Sequence, residues 1–132
     1  DQKFRLRMPA KIKKEFSEGC FVTKGNDGCL FIFSAKQFES LMTKLDSLPL
    51  FDCISQRPLR MLLSSAFEVE EDAQGRFLLP AALREFAGIK KDVVFIGVGN
   101  RAEIWDKERW TKYNESLSSF DECVSELGGY GI

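Results

Sequence analysis

The sequence predicts an α+β fold made of two half-repeats, each running β-α-β-β-α. The first observation behind this is that the wording Asp-x-x-x-Arg-x-x-x-Pro-Ala occurs at Asp1, Arg5, Pro9 and Ala10 and again at Asp72, Arg76, Pro80 and Ala81. That is an internal duplication with a period of about half the chain. The second is that the echo runs past the motif: Lys14-Glu15-Phe16 is answered by Arg84-Glu85-Phe86, Gly25-Asn26 by Gly99-Asn100, and Ile32-Phe33-Ser34 by Ile104-Trp105-Asp106. The third is that each copy alternates short β-forming runs with stretches of helical apolar spacing. Two copies are fewer than a solenoid needs, so the halves are expected to close on each other. The predicted unit is a single pseudo-two-fold domain over 1–132, with repeat 1 at 1–47, a connecting helix within 48–65 and repeat 2 at 66–132. A chain of 132 residues that is 44% apolar is large enough to bury a core.

The elements follow in order from local chemistry. In repeat 1, Phe21-Val22-Thr23 and the run 29–33 flank Gly25-Asn26-Asp27-Gly28 and predict a hairpin. Ser34 then caps a helix, with Gln37 completing a capping box. Leu48-Pro49 breaks the chain, and a helix ending near Ser64-Ser65 follows; Pro58 favours a start at Ser55 over Asp52, because proline is tolerated only in the first turn. The strand-like run 66–70 precedes the second motif, which predicts a matching strand before Asp1. Asp72-Ala73-Gln74-Gly75 reads as a tight turn, with Gly75 free to take positive φ and the Asp72 side chain able to bond the backbone ahead. Arg76-Phe77-Leu78-Leu79 leaves the turn as a strand, Pro80 opens a short helix and Gly88 closes it. The runs 93–98 and 102–105 form a second hairpin around Gly99-Asn100, and Asp106 caps the last helix.

That last helix is predicted to run unbroken from about Lys107 to Leu127. Its apolar residues Trp110, Tyr113, Leu117, Phe120, Val124 and Leu127 alternate spacings of three and four, a coiled-coil-like seam. Phe38, Leu41 and Leu45 line up with Trp110, Tyr113 and Leu117, so that part belongs to both repeats and packs on its own domain. The remainder has no counterpart, which makes Leu117, Phe120, Val124 and Leu127 the candidate oligomer interface.

Composition closes several routes to chemistry. There is no histidine, and Cys20, Cys29, Cys53 and Cys123 show no Cys-x-x-Cys spacing. Cys/His zinc sites and His-activated nucleophiles are therefore excluded, and all four cysteines are expected as reduced thiols in the core. No paired-carboxylate, phosphate-loop or dinucleotide signature is present, and Gly97-x-Gly99 alone is insufficient. No stretch is long and apolar enough to span a bilayer.

The net charge of −1 argues against a generic nucleic-acid coat, but the charge is unevenly placed. Residues 1–44 carry nine Lys/Arg against five Asp/Glu, whereas residues 103–132 carry three against seven. One end is thus suited to face phosphate and the other to face away. Turn chemistry alone explains Asp1, Asp72 and Gly75 as orienting residues, and an Asp-Arg ion pair across the turn is the plain structural reading. A turn does not require an arginine four residues later in both copies, however. Arginine reads guanine edges and clamps phosphate bidentately, which makes Arg5 and Arg76 the candidate DNA-reading residues. Lys3, Arg7, Lys11, Lys13 and Lys14 are the candidate phosphate contacts; a solvated helix face is the alternative reading of that cluster.

The two Asp-x-x-x-Arg motifs, each followed by x-x-x-Pro-Ala and a short helix, and the segment 94–105 with Ile-Gly-Val-Gly-Asn-Arg at its centre, resemble the MraZ family of bacterial regulators encoded at the head of the division and cell-wall gene cluster. The resemblance covers essentially the whole chain. It implies an AbrB-like swapped-hairpin architecture closing into one β-barrel, a ring-shaped oligomer, and DNA binding through the motif hairpins. The chain departs from the family's usual Asp-x-Lys-Gly-Arg at Phe4, where glycine is expected, and at Gln74, where lysine is expected. The first turn is then expected to be reshaped, and the second copy to hold phosphate less strongly.

The expectation is a cytoplasmic, nucleoid-associated transcription regulator without catalytic activity, cofactor, metal or membrane attachment. Its partners are double-stranded DNA and further copies of itself. Unlike ends favour head-to-tail contacts that close into a ring, which suits short direct repeats better than a palindrome. The alternative is a non-catalytic assembly whose hairpins dock acidic protein or RNA partners.

Overall fold

The computed structural model describes residues 4–117 and 119–132. Strand β1 (Arg5–Arg7) leads to helix α1 (Ala10–Glu15), the hairpin β2 (Cys20–Lys24) and β3 (Leu30–Ser34), and α2 (Ala35–Leu45). Helix α3 (Cys53–Ser65) connects to β4 (Phe67–Glu68), and the pattern repeats as β5 (Arg76–Leu78), α4 (Ala81–Ala87), β6 (Val93–Val98), β7 (Arg101–Asp106) and α5 (Lys107–Ser116). Helix α6 (Phe120–Ser125) and a 3₁₀ turn over Glu126–Tyr130 close the chain. The β-α-β-β-α order of both repeats is thus present.

The expected closed barrel is not. Among the described residues the strands form two open antiparallel sheets, a two-stranded ribbon β1-β5 and a five-stranded sheet in the order β4-β2-β3-β7-β6. The reason lies in the motif. Pro9 and Pro80 follow β1 and β5 almost at once, and a residue without an N–H cannot extend a ladder, so each motif strand stops after three residues. Neither is long enough to run on into the larger sheet.

Strand register shows how the repeats meet. In the ribbon Leu6 faces Phe77, and in the sheet Phe31 of β3 faces Glu103 of β7. Leu6 and Phe77 hold the same place in their repeats, as do Phe31 and Glu103, so each position faces its own counterpart. The core lies between ribbon and sheet, drawing Leu6 and Phe77 from the ribbon, Ile12, Phe16 and Leu83 from the short helices, and Val22, Leu30, Ile32 and Ile104 from the sheet. The opposite face of the sheet is covered by α2 and α5. Phe38 stacks on Phe21 at 4.2 Å between ring centroids, and Trp105 meets Trp110 at 5.1 Å and Tyr113 at 4.8 Å. The aligned positions Phe38 and Trp110 therefore do the same work in both halves. Between them Glu103 is buried, accepting hydrogen bonds from Trp105 Nε1 and Arg101 Nη2, both at 2.9 Å.

Two helix boundaries correct the sequence reading. Helix α3 starts at Cys53 rather than Ser55, because the Asp52 carboxylate accepts from Ile54 N at 3.3 Å and fixes the first turn there. Pro58 then lies inside the helix, costing the backbone bond it would otherwise donate to Ile54. The predicted helix over 107–127 is broken: Leu117 is extended (φ −81°, ψ 154°), and Ser119 caps a new helix by accepting from Glu122 N at 3.3 Å. Periodicity sees apolar spacing but not a serine that competes for the backbone.

The alternation along β5 makes a sharp contrast between neighbours. Phe77 is 1% exposed, whereas Leu78 faces outward. Phe77→Ala is expected to cost about 3–5 kcal/mol by chemical denaturation. Leu78→Ala is expected to cost under about 1 kcal/mol in the same measurement.

Candidate nucleic-acid interface

Directly opposed residues of an antiparallel pair share a face. Since Leu6 and Phe77 turn inward, Arg5 with its partner Leu78, and Arg7 with its partner Arg76, lie on the outer face of the ribbon. The duplicated motif thus places three guanidinium groups on one two-stranded surface.

The turn before β5 holds them in place. Asp72 Oδ1 accepts from Gln74 N at 2.9 Å and from Arg76 N at 3.0 Å, Gly75 N donates to Asp72 O at 3.0 Å, and Gly75 takes φ +77°. The other carboxylate oxygen, Oδ2, lies 3.2 Å from Arg5 Nη1 and 3.4 Å from Arg76 Nε. One aspartate therefore orients both motif arginines, one from each repeat. Sequence reasoning found the turn and the local pair but missed the bond to Arg5; the alternation of Arg5-Leu6-Arg7 and Arg76-Phe77-Leu78, folded about a dyad, is the signal that contains it. The Asp72 carboxyl is held below its ordinary value, first by the hydrogen bond from the Arg76 backbone and further by those of Gln74 and the charges of Arg76 and Arg5.

Around the turn the charges are mixed. Lys13 Nζ lies 2.8 Å from Glu71 Oε2. A Cβ placed on Gly75 would stand 3.5 Å from Lys13 Nζ and 3.8 Å from Arg7 Nη1, so both cations reach this turn. Lys11 and Lys14 are exposed on α1, whose Ile12 and Phe16 side is buried. Asp1 and Lys3 lie outside the described residues, so most of the first turn does too. Phe4, the departure from glycine, packs partly buried against the core beneath the Arg84 guanidinium, 5.4 Å from its ring centroid. Arg84, which sequence reasoning passed over, thus borders the ribbon. Gln74, the departure from lysine, is exposed.

The candidate interface residues Leu117, Phe120, Val124 and Leu127 are all exposed. The cysteines divide, against the expectation that all are core thiols. Burial pushes Cys20 up to about 11 and Cys29 up to about 12, which keeps both protonated and inert. Cys53 is exposed and Cys123 half-buried, because they sit on α3 and α6, neither of which places a residue in the buried core. A groove between the approach to β6 and α5 is lined by four lysines (Lys90, Lys91, Lys107, Lys112) and four acids (Asp92, Asp106, Glu108, Glu115), so its charge largely cancels. Among the described residues no helix is long and apolar enough to cross a membrane.

Ribbon, turn and duplicated hairpins define a class: a duplicated α+β protein that presents paired arginines on a short β-ribbon. Comparison with known proteins gives the family. The family model described as "MraZ protein, putative antitoxin-like" matches residues 1–60 and 62–125. Proteins named transcriptional regulator MraZ align over nearly the full chain: that of Heliobacterium modesticaldum is 45% identical over 128 residues, covering 96% of this chain and 90% of its own length. That of Clostridium beijerinckii is 43% identical over 132 residues, covering 100% and 93%. That of Caldanaerobacter subterraneus subsp. tengcongensis is 44% identical over 133 residues, again covering 100% and 93%. The chain belongs to the MraZ family, and transcription regulation is the class of function that membership assigns.

The lowered value of Asp72 has a testable sign. A carboxyl depressed on folding adds stability that is fully present above its unfolded value, near 3.8, and is lost as pH falls through the folded value. Asp72→Asn keeps an acceptor for the backbone but not the charge. The unfolding free energy of the native chain should exceed that of Asp72→Asn at neutral pH, with a gap that narrows as pH is taken below about 3.8. A gap independent of pH would mean that the ion pairs contribute nothing.

Proposed function

We propose that the chain is a sequence-specific DNA-binding transcription regulator that uses the β1-β5 ribbon as its reading surface. The observation that carries this is the single carboxylate of Asp72 holding Arg5 and Arg76, from separate repeats, on one outward face. A two-stranded ribbon fits the major groove, and arginine on such a ribbon pairs bidentately with guanine O6 and N7. Arg7 on the ribbon and the exposed Lys11, Lys13 and Lys14 on α1 supply phosphate contacts. In this reading residues 1–132 act as one pseudo-two-fold unit, and copies assemble head to tail into a ring through the surface that includes Leu117, Phe120, Val124 and Leu127. A ring repeats the ribbon by rotation, which favours short direct repeats, such as would lie at the promoter of the division and cell-wall cluster. The protein would then work in the cytoplasm, on the nucleoid.

Selection of bound fragments from a random DNA pool at moderate salt tests the class, with enrichment of spaced short repeats the expected result. Against the selected site, Arg5→Ala and Arg76→Ala should each weaken binding by about 1–3 kcal/mol while leaving the circular dichroism spectrum unchanged. Unaltered affinity in both variants would reduce the arginines to structural ion pairs.

The lysines should behave differently, because phosphate contacts carry no sequence information. Neutralising Lys11, Lys13 and Lys14 together should weaken binding to all sequences alike and flatten the log–log salt dependence by roughly one unit for each phosphate left without its cation. A loss confined to the selected site, with the salt slope intact, would contradict this assignment.

A further inference from the structure

Two apolar patches lie bare on unlike parts of the molecule. The first belongs to α6. Because Ser119 starts this helix afresh, its apolar face does not continue the stripe that α5 packs against Trp105, and Phe120 is left 81% exposed with Val124 and Leu127 beside it. The second is the approach to α3, where Leu50, Phe51 and Ile54 are exposed, Phe51 at 93% and Ile54 at 80%.

Their flanking charges are opposite. Residues 113–132 carry no Lys or Arg, and Asp121, Glu122 and Glu126 surround the α6 face. Residues 50–65 carry Arg57 and Arg60 against one acid, Asp52, whose carboxylate caps α3 by accepting from Ile54 N. Arg57 stands three residues after Ile54, so it shares that helix face, and Arg60 borders it. An apolar patch rimmed with acid and an apolar patch rimmed with arginine are complementary, and within one copy neither covers the other. The partner that fits each is therefore a second copy of the same chain. Because the two surfaces differ, the contact is heterologous and propagates from copy to copy.

We propose that the α6 face of one copy seats on the surface formed by residues 50–54 and the start of α3 of the next, with Asp121, Glu122 and Glu126 set against Arg57 and Arg60. This rests on the ring assembly proposed above and names the receiving surface. It is independent of DNA.

The thiols provide the test. Cys53 lies within the receiving surface, Cys123 lies on α6 three residues from Phe120, and Cys20 and Cys29 are buried. A short bismaleimide added to the intact protein should give a covalent ladder of dimers, trimers and higher species. Cys53→Ser or Cys123→Ser alone should abolish the ladder, and mixing those two variants should give dimers only. Reversing Arg57 and Arg60 to Glu should dissociate the oligomer in light scattering, and adding Asp121→Arg with Glu122→Arg should restore it. Cross-linked dimers that persist in one of the single cysteine variants indicate like-with-like contact and overturn the proposal. A large oligomer without any Cys53–Cys123 product overturns this docking and leaves ring assembly standing. A monomer at every concentration overturns both, and assigns the patches to a different partner.

Discussion

The pairing of β1 with β5 is the constraint on which the outer surface depends, because among the described residues the only other pairing of either strand is the isolated bridge of Phe77 to Glu71. Arg5 and Arg76 lie far apart along the chain, yet the register Leu6↔Phe77 brings both within reach of Asp72. The same pair plugs the core from above, so the ribbon cannot shift by one residue without turning Phe77 out to water and the arginines inward. Hydrophobic burial on one face thus fixes the geometry of charge on the other. Because the contact is non-local, closing the ribbon costs more loop-closure entropy than closing either local hairpin.

Duplication within one chain, as opposed to dimerisation of a half-length chain, permits something a true dyad forbids. In a symmetric dimer the residue on the axis faces itself. Here Phe31 faces Glu103, and Leu6 faces Phe77. Two glutamates opposed across a non-polar sheet would repel; one glutamate opposite a phenylalanine instead gathers Trp105 Nε1 and Arg101, whose guanidinium also lies over the Phe31 ring at 4.6 Å. The divergence of the repeats at their shared axis is therefore a packing solution. Away from the axis, divergence has produced unlike ends: lysines on α1 in the first half, and the acidic α6 in the second.

Much of this was legible in the chain. The repeat, the order of elements, the Asp72 turn with Gly75 at positive φ, the caps at Ser34 and Asp106 and the aligned aromatics Phe38 and Trp110 all follow from local rules or from self-comparison. What escaped was of two kinds. Competing local signals meet at Pro58 and at Ser119, where a capping side chain outweighs a proline penalty and an apolar heptad respectively. Long-range pairing was the other: the closed barrel implied by resemblance gave way to two open sheets because Pro9 and Pro80 cut the motif strands short. The bond from Asp72 to Arg5 belongs to this second kind, since no window of sequence contains both residues.

Asp72 also sets the character of the proposed interface. A carboxylate among three arginines lowers the attraction of the ribbon for phosphate in general, and Glu71 does the same for Lys13. Non-specific affinity, which rises with each cation free to displace a counterion, is thereby restrained. In return Arg5 is hydrogen-bonded and Arg76 ion-paired to one carboxylate before any ligand arrives, which restrains both side chains and lowers the entropy they would give up on meeting a base edge. Under the proposed function, a single ribbon built this way would be a weak but discriminating reader. Such a reader becomes useful when several copies act on one DNA, because linked sites multiply effective concentration without enlarging any single contact. The chemistry of one aspartate thus argues for assembly from the DNA side, independently of the bare apolar faces that argue for it from the protein side.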